Sequence, residues 1–224
     1  MLEPIVVTAR LATGYVAADP WSPALDGILA WAIMRRDHPE MLDVGVLDGD
    51  PMEVDVPLER LGDGEDWYYA CSMPLAPGAV EHVTWYHKRF DDQHERYLDA
   101  GKRRKINAKS GRYKSYRLPR IERVCREVHW HAVGDQAAVF ELLALVRHIG
   151  KLRAQGMGRV MGWDVVPGDG RTAFLAGEMR PLPVAGPSND GLVMPWGLRP
   201  PGWWVGNHRW CRMPPFLDFT SPDR

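Results

Sequence analysis

The run Trp85-Tyr86-His87-Lys88 sets an imidazole between a phenol and an ammonium. Such a trio could do acid–base chemistry, the imidazole taking or giving a proton while a nearby cation or phenol stabilises charge. His129 and His131 would point the same way on a strand and supply two of the ligands a metal wants, with no third evident. Against catalysis stands frequency: in a chain with eight histidines, one near a basic segment is expected by chance. On that reading His87 is an exposed polar residue of an amphipathic strand. His129 and His131 are then the solvent face beside a buried Trp130. Asp26 falls in the first turn of a helix, where the macrodipole accounts for an acid. Asp48, Asp50, Glu53 and Asp55 lack EF-hand spacing and read as solvated loop acids. Cys71, Cys125 and Cys211 are odd in number and far apart, which argues against a disulfide framework or a cysteine zinc site. The expectation is a protein with no catalytic residue, no metal and no cofactor.

Binding chemistry is written more densely. Lys102 to Arg126 carries eleven of the 28 Lys and Arg and a single acid, Glu122, for a formal charge of +10. The rest of the chain sums to −11, so the overall −1 hides a cationic segment on an acidic body. Lys102, Arg103, Arg104, Lys105, Lys109, Arg112, Lys114 and Arg117 are the phosphate-binding candidates. Tyr113 and Tyr116, threaded among them, offer ring faces on which bases stack, worth about 1–3 kcal/mol per base. Charge of this density repels itself unless a polyanion neutralises it, so the expected partner is nucleic acid rather than solvent alone.

A glycine-rich loop is the second binding feature. Gly156-Met-Gly158 invites a dinucleotide-binding reading, but that fingerprint follows a strand and opens a helix. Here a helix comes before and a strand after, and no Gly-Lys-Ser/Thr is present for a Walker loop. What remains is a loop bearing Lys151, Arg153 and Arg159, with Gly156 and Gly158 allowing close approach of a backbone. Glycines after a helix also simply cap it.

The elements that must position these groups follow from periodicity. Ile5 to Leu11 reads as a strand. Ser22-Pro23 reads as an N-cap and first turn, opening a helix whose Leu25, Ile28, Leu29, Ala32 and Ile33 share a face. Residues 43–66 read as loop with one edge strand, and Trp67 to Met73 as a second strand. Val80 to Phe90 is extended, Asp91 to Ala100 a short helix, and Ser110-Gly111 a hairpin tip between two basic arms. Cys125 to Val133 is a third strand with Val128, Trp130 and Ala132 on one side. Asp135 opens a second helix, with Val139, Leu142, Leu143, Val146 and Ile149 on its face, and Arg159 to Val166 is a fourth strand. The order β-α-β-(insertion)-β-α-β is the ferredoxin-like arrangement. From Pro181 onward, nine of the 19 prolines and four of the ten tryptophans occur with little periodicity. Trp196, Trp203, Trp204 and Trp210 argue against disorder and for an irregular arm packed on the body.

Together the basic insertion, the helix–glycine loop–strand unit and this element order resemble one superfamily, the RAMP proteins of CRISPR systems. Three motifs, Leu25-Asp26-Gly27-Ile28-Leu29-Ala30-Trp31, Gly150-Lys-Leu-Arg-Ala-Gln-Gly-Met-Gly-Arg-Val160, and Arg199-Pro-Pro-Gly-Trp-Trp204 leading to Cys211 and Pro214-Pro215, carry a closer resemblance. It is to the subunit of type IV effector complexes that caps the 5′ handle of the guide RNA. It implies an α+β fold with a ferredoxin-like (RRM-like) core in residues 1–166, a basic thumb insertion at about 76–124, and a Pro/Trp-rich C-terminal arm in 167–224. It also implies a non-catalytic subunit gripping guide RNA (crRNA), with a backbone filament subunit and a large subunit as neighbours and target DNA reached through the complex. The alternatives are a metal-independent RAMP endoribonuclease and a generic single-stranded nucleic-acid-binding protein outside CRISPR. Arg126 to Val133 lacks the aromatic pattern of an ordinary RRM strand, so RNA is not expected on the sheet face in the usual manner. The chain has no apolar run near the roughly 20 residues of a membrane span and no signal-peptide pattern, and is expected to be cytoplasmic.

Overall fold

In the computed structural model the described residues are 1–42, 51–90, 107, 109–189 and 191–215. They form two compact units, Met1–Val80 with Arg123–Arg224, and Glu81–Glu122. In chain order the first half contains β1 (Glu3–Leu11), β2 (Tyr15–Val16), α1 (Leu25–Asp37), α2 (Pro39–Leu42), β3 (Arg60–Leu61), β4 (Tyr68–Tyr69) and β5 (Val80–Lys88). The second half contains β6 (Tyr116–Val124), β7 (Glu127–Gly134), α3 (Gln136–Leu143), β8 (Val160–Pro167), α4 (Gly170–Glu178), β9 (Leu182–Pro183), β10 (Val193–Gly197) and β11 (His208–Arg212). The fold is α+β with antiparallel pairing.

β1 is the centre of the first unit's main sheet, paired antiparallel to β7 on one side and β8 on the other. Val7 registers with Trp130 of β7 and Val165 of β8. Alternation then sends Ile5, Val7 and Ala9, with Val128, Trp130 and Ala132, into one core. Leu25, Leu29, Ala32 and Ile33 of α1 and Val139, Leu142 and Leu143 of α3 complete that core. Trp130 is fully buried and its indole N–H donates to Pro23 O at 3.0 Å, so its polar edge is satisfied. Truncating such a side chain to Ala costs about 3–5 kcal/mol.

The opposite sheet face differs from the solvent face expected beside Trp130. α4 packs against β7 and β1 there, burying Thr172 and Ala176 and leaving His129 and His131 half-buried. Asp169 caps α4 by accepting from Thr172 N at 2.9 Å, and the helix carries only a short apolar stripe. The expected Ser22 cap of α1 is also corrected. Ala24 is the N-cap, without a side-chain bond, and Ser22 Oγ accepts instead from Ala18 N at 3.2 Å. Asp135 does cap α3, accepting from Ala138 N at 3.0 Å.

Of the strand expected at Trp67 to Met73, only Tyr68–Tyr69 forms β4, paired with β3. Residues 70–75 instead run along the outer edge of β7 through separate bonds, Val133 N to Ala70 O at 3.0 Å, Ser72 N to His131 O at 2.8 Å and Leu75 N to His129 O at 2.8 Å. Pro74 has no N–H, so a continuous ladder cannot form across it.

The C-terminal segment is not the irregular arm expected. After α4 it builds a three-stranded antiparallel sheet, order β10-β11-β9, with a small core of Leu198, Cys211 and Met213 backed by Trp21, Tyr68, Met194 and Trp196. The prolines fit this sheet because Pro183 and Pro195 lie on its two edge strands, while central β11 has none. Gly197 is needed where the chain returns, since a Cβ there would lie 2.3 Å from Gly202 O.

In the second unit β5 and β6 are sheet neighbours and form the arms of a ribbon. Of the tip expected at Ser110-Gly111, the first basic arm, Lys102 to Lys105, lies outside the described residues. Ser110 is described, and it leads a 3-10 turn over Gly111–Tyr113, just before β6. The helix expected at Asp91 to Ala100 lies outside the described residues.

Candidate nucleic-acid interface

Within the second unit the strands alternate aromatic and cationic side chains at a spacing that stacks them across the ribbon. Arg117 lies 4.0 Å over the Trp85 ring and Arg120 5.0 Å over Tyr86. Tyr116 packs on Tyr86 at 5.7 Å, and Tyr113 meets Phe90 edge-on at 5.3 Å. The two tyrosines nominated for base stacking therefore already have ring partners and are half-buried. Trp85, 43% exposed, is the large aromatic surface that charge counting overlooked. Lys109, Arg112, Lys114 and Arg117 are all exposed. Lys88 Nζ donates to Arg112 O at 2.7 Å and fixes the turn. Lys102, Arg103, Arg104 and Lys105 lie outside the described residues. His87 is exposed on β5.

The glycine loop belongs to the first unit and is held by backbone. Ile149 N donates to Gly158 O at 2.9 Å, Gly158 N to Gly14 O at 2.8 Å, and Lys151 N to Val16 O at 2.7 Å. Thr13 stitches both limbs, donating to Gly156 O at 3.0 Å and accepting from Arg159 N at 3.0 Å. Leu152 and Gly156 adopt left-handed backbone on either side of a 3-10 turn, Arg153–Gln155. The turn projects Lys151, Arg153, Gly156 and Arg159 to solvent, while Gly158 is buried. Arg153 lies 5.1 Å over the Trp31 ring of α1, which orients its guanidinium. The two glycines thus differ in kind. A Cβ at Gly156 would meet nothing within 4 Å, whereas one at Gly158 would lie 2.0 Å from Ile149 O.

The acid–base candidates separate. His129 Nδ1 is 2.9 Å from Thr8 Oγ1, and His131 is pushed below the usual imidazole range by burial, then by His129 and Arg171. Glu53 and Asp55 pair with Arg60 at 3.5 and 2.9 Å, while Asp48 and Asp50 lie outside the described residues. Among the described residues no group of three His, Cys, Asp or Glu is placed to hold a metal ion. Burial raises all three thiols, Cys71 to about 12 and Cys125 and Cys211 to about 11. Asp26 stands in the first turn of α1, as expected. It is buried with Arg180, their nearest charged atoms 3.8 Å apart, and its carboxyl is raised by burial against the lowering effect of that arginine. Arg180 escaped sequence reasoning because it stands 154 positions away, in a segment without periodicity.

Among the described residues no helix is long and apolar enough to cross a membrane. Compared with known families, the chain matches the model described as CRISPR type IV associated protein Csf3 over residues 3–214. No curated protein matches it.

Proposed function

The chain belongs to the family of CRISPR type IV associated protein Csf3, and from that membership we propose that it is the non-catalytic RNA-binding subunit of a type IV effector, gripping the 5′ handle of the guide RNA and nucleating assembly. The observation that carries this reading is the cationic insertion. It is a compact unit of its own, Glu81–Glu122, with Lys109, Arg112, Lys114 and Arg117 exposed on or beside the β5–β6 ribbon. Exposed cations beside the exposed Trp85 ring suit a single strand, whose phosphates take the charge and whose bases stack. Lys151, Arg153 and Arg159 on the glycine loop are a second set of phosphate contacts in this reading. The main sheet supports a ferredoxin-like, RAMP-type core, since its order β8-β1-β7 with residues 70–75 outermost suits the β-α-β-β-α-β connectivity. Phosphate contacts supply affinity and register, and base pairing by the guide selects the DNA target. The neighbours in this reading are a filament subunit and a large subunit, in the cytoplasm.

The test is to purify the tagged protein from its host and sequence the RNA that accompanies it. Short RNAs sharing one repeat-derived 5′ end, in a large particle, are expected. Heterogeneous RNA, or none, on a monomer would overturn the assignment.

A further inference from the structure

A cavity of about 470 Å³ opens in the first unit between the start of α1, residues 71–73 and the C-terminal sheet. That volume lies within the range of small-ligand sites, about 300–1,000 Å³. Three tryptophans line it, Trp21, Trp196 and Trp203. Trp21 and Trp196 brace each other edge-to-face at 5.8 Å, and Trp203 is 66% exposed. Such walls favour a flat ring.

Asp26 and Arg180 are the buried charged groups of the lining, 4% and 5% exposed, and Asp19, Ser22, Ser72, Arg199 and His208 are its other polar residues. The guanidinium is anchored by backbone carbonyls. Nη1 donates to Tyr69 O and to Cys71 O at 3.3 Å, and Nη2 to Leu198 O at 2.8 Å. Its Nε is buried with no hydrogen-bond partner. Asp26 Oδ1 accepts from Gly27 N at 2.7 Å, but Oδ2 stays 3.8 Å from the guanidinium, beyond hydrogen-bond reach. A buried donor left unmade is costly, and a carboxylate has about four acceptor positions. The site therefore suits a ligand that accepts from Arg180 Nε and donates to the Asp26 carboxylate, which has more than one acceptor position open. Asp26 disfavours an anion and Arg180 a cation, so the ligand is neutral where it meets them.

We propose that this cavity receives a guanine base, with Asp26 accepting from N1–H and the 2-amino group and Arg180 Nε donating to O6. The pair presents donor–acceptor–acceptor, the same edge cytosine offers. Among the four RNA bases only guanine carries the complementary acceptor–donor–donor order. Adenine and cytosine each begin with a donor, and uracil ends with an acceptor where Asp26 needs a donor. The raised carboxyl of Asp26 fits, because two incoming N–H donors would restore the solvation that burial removed. In the proposed function, on which this inference rests, the base is an unstacked guanosine of single-stranded RNA.

The test uses the full chain and guanosine, inosine, xanthosine, adenosine and uridine monophosphates in isothermal titration calorimetry. Guanosine monophosphate should bind at least tenfold more tightly than the inosine form, which lacks the 2-amino group. Asp26→Asn should exchange that preference for xanthosine, whose 2-carbonyl accepts from a carboxamide. A folding defect cannot produce that exchange of preference. Should Asp26→Asn not fold, Trp203→Ala serves, since an exposed indole is removable: all affinities should fall about fivefold or more with their order unchanged. Equal affinity for the guanosine and inosine forms, or an unaltered preference in the Asp26→Asn variant, overturns the pocket.

A second arm separates this inference from the RNA reading. Oligouridine carrying one central guanosine is compared with the same strand carrying inosine. Salt-dependent binding of both without discrimination sinks the pocket and leaves the RNA role standing. Discrimination among mononucleotides without any binding of the strands keeps the pocket and sinks the RNA role.

Discussion

Gly156→Ala and Gly158→Ala, two positions apart, should have very different consequences. Both residues lie at positive φ, +82° and +64°. Each substitution therefore carries the left-handed penalty of an L-residue, about 1–2 kcal/mol. At Gly156 that is the whole cost, because a Cβ there meets nothing within 4 Å. At Gly158 the new carbon would lie 2.0 Å from Ile149 O, and such carbons are not found within 3.0 Å, so backbone must move by about 1 Å. That movement breaks the bond from Ile149 N to Gly158 O, worth about 1 kcal/mol. It also displaces Ile149, which is 1% exposed, at the usual overpacking cost of about 1–3 kcal/mol. The expected losses are about 1–2 kcal/mol for Gly156→Ala and about 3–6 kcal/mol for Gly158→Ala, against a typical domain stability of about 5–15 kcal/mol. Urea unfolding followed by tryptophan fluorescence reads both, with the midpoint moving and the slope unchanged. Losses within about 1 kcal/mol of each other would refute the close approach at Gly158. In the RNA reading, Gly156→Ala is the informative loop variant, since it is folded and alters only the exposed turn.

Charge reversal at Arg112 and Lys114, both exposed, should weaken single-stranded RNA binding and flatten its salt dependence by about 0.7 of a slope unit for each phosphate no longer neutralised. An unchanged slope in a titration from low to high salt would remove these cations from the interface. His131 has a folded pKa below its unfolded value of about 6.5, so its contribution to stability is full above that value and is lost as pH falls through it toward the depressed folded pKa. His131→Gln should flatten the decline in stability between pH 7 and pH 5, and an identical decline in both proteins would contradict the burial. Asp135→Ala removes the α3 cap and should cost about 0.5–2 kcal/mol by denaturant titration. The thiols of Cys71, Cys125 and Cys211 sit near 12, 11 and 11, so at pH 8 labelling should be slow until the chain unfolds, and fast labelling of the folded protein would contradict their burial.

The elements legible in the sequence are those whose burial repeats along the chain. The alternation of Val128, Trp130 and Ala132 marked β7, and the 3.6-residue spacing of Leu25, Leu29, Ala32 and Ile33 marked α1. Both patterns are local, because one face of each element meets one core. The Asp135 cap was legible because its bond spans three residues. α4 was passed over because its nine residues bury only Thr172 and Ala176. The C-terminal sheet was hidden by its prolines, which speak against strands in general but are admitted on edges, and the edge is a tertiary property.

The candidate site divides the same way. A charge of +10 on Lys102 to Arg126 and the glycine spacing of the loop are properties of composition and order, so the sequence alone determined that a polyanion is the expected partner. Which groups remain available to it was decided in three dimensions. Folding paired Tyr113 with Phe90 and Tyr116 with Tyr86, left Trp85 exposed, separated the roles of Gly156 and Gly158, and covered His131 with α4. It also brought Arg180 against Asp26 at the cavity, an encounter between segments that share no local pattern. Charge and periodicity are sums over neighbours in the chain, whereas burial and hydrogen-bond partnership depend on neighbours in space.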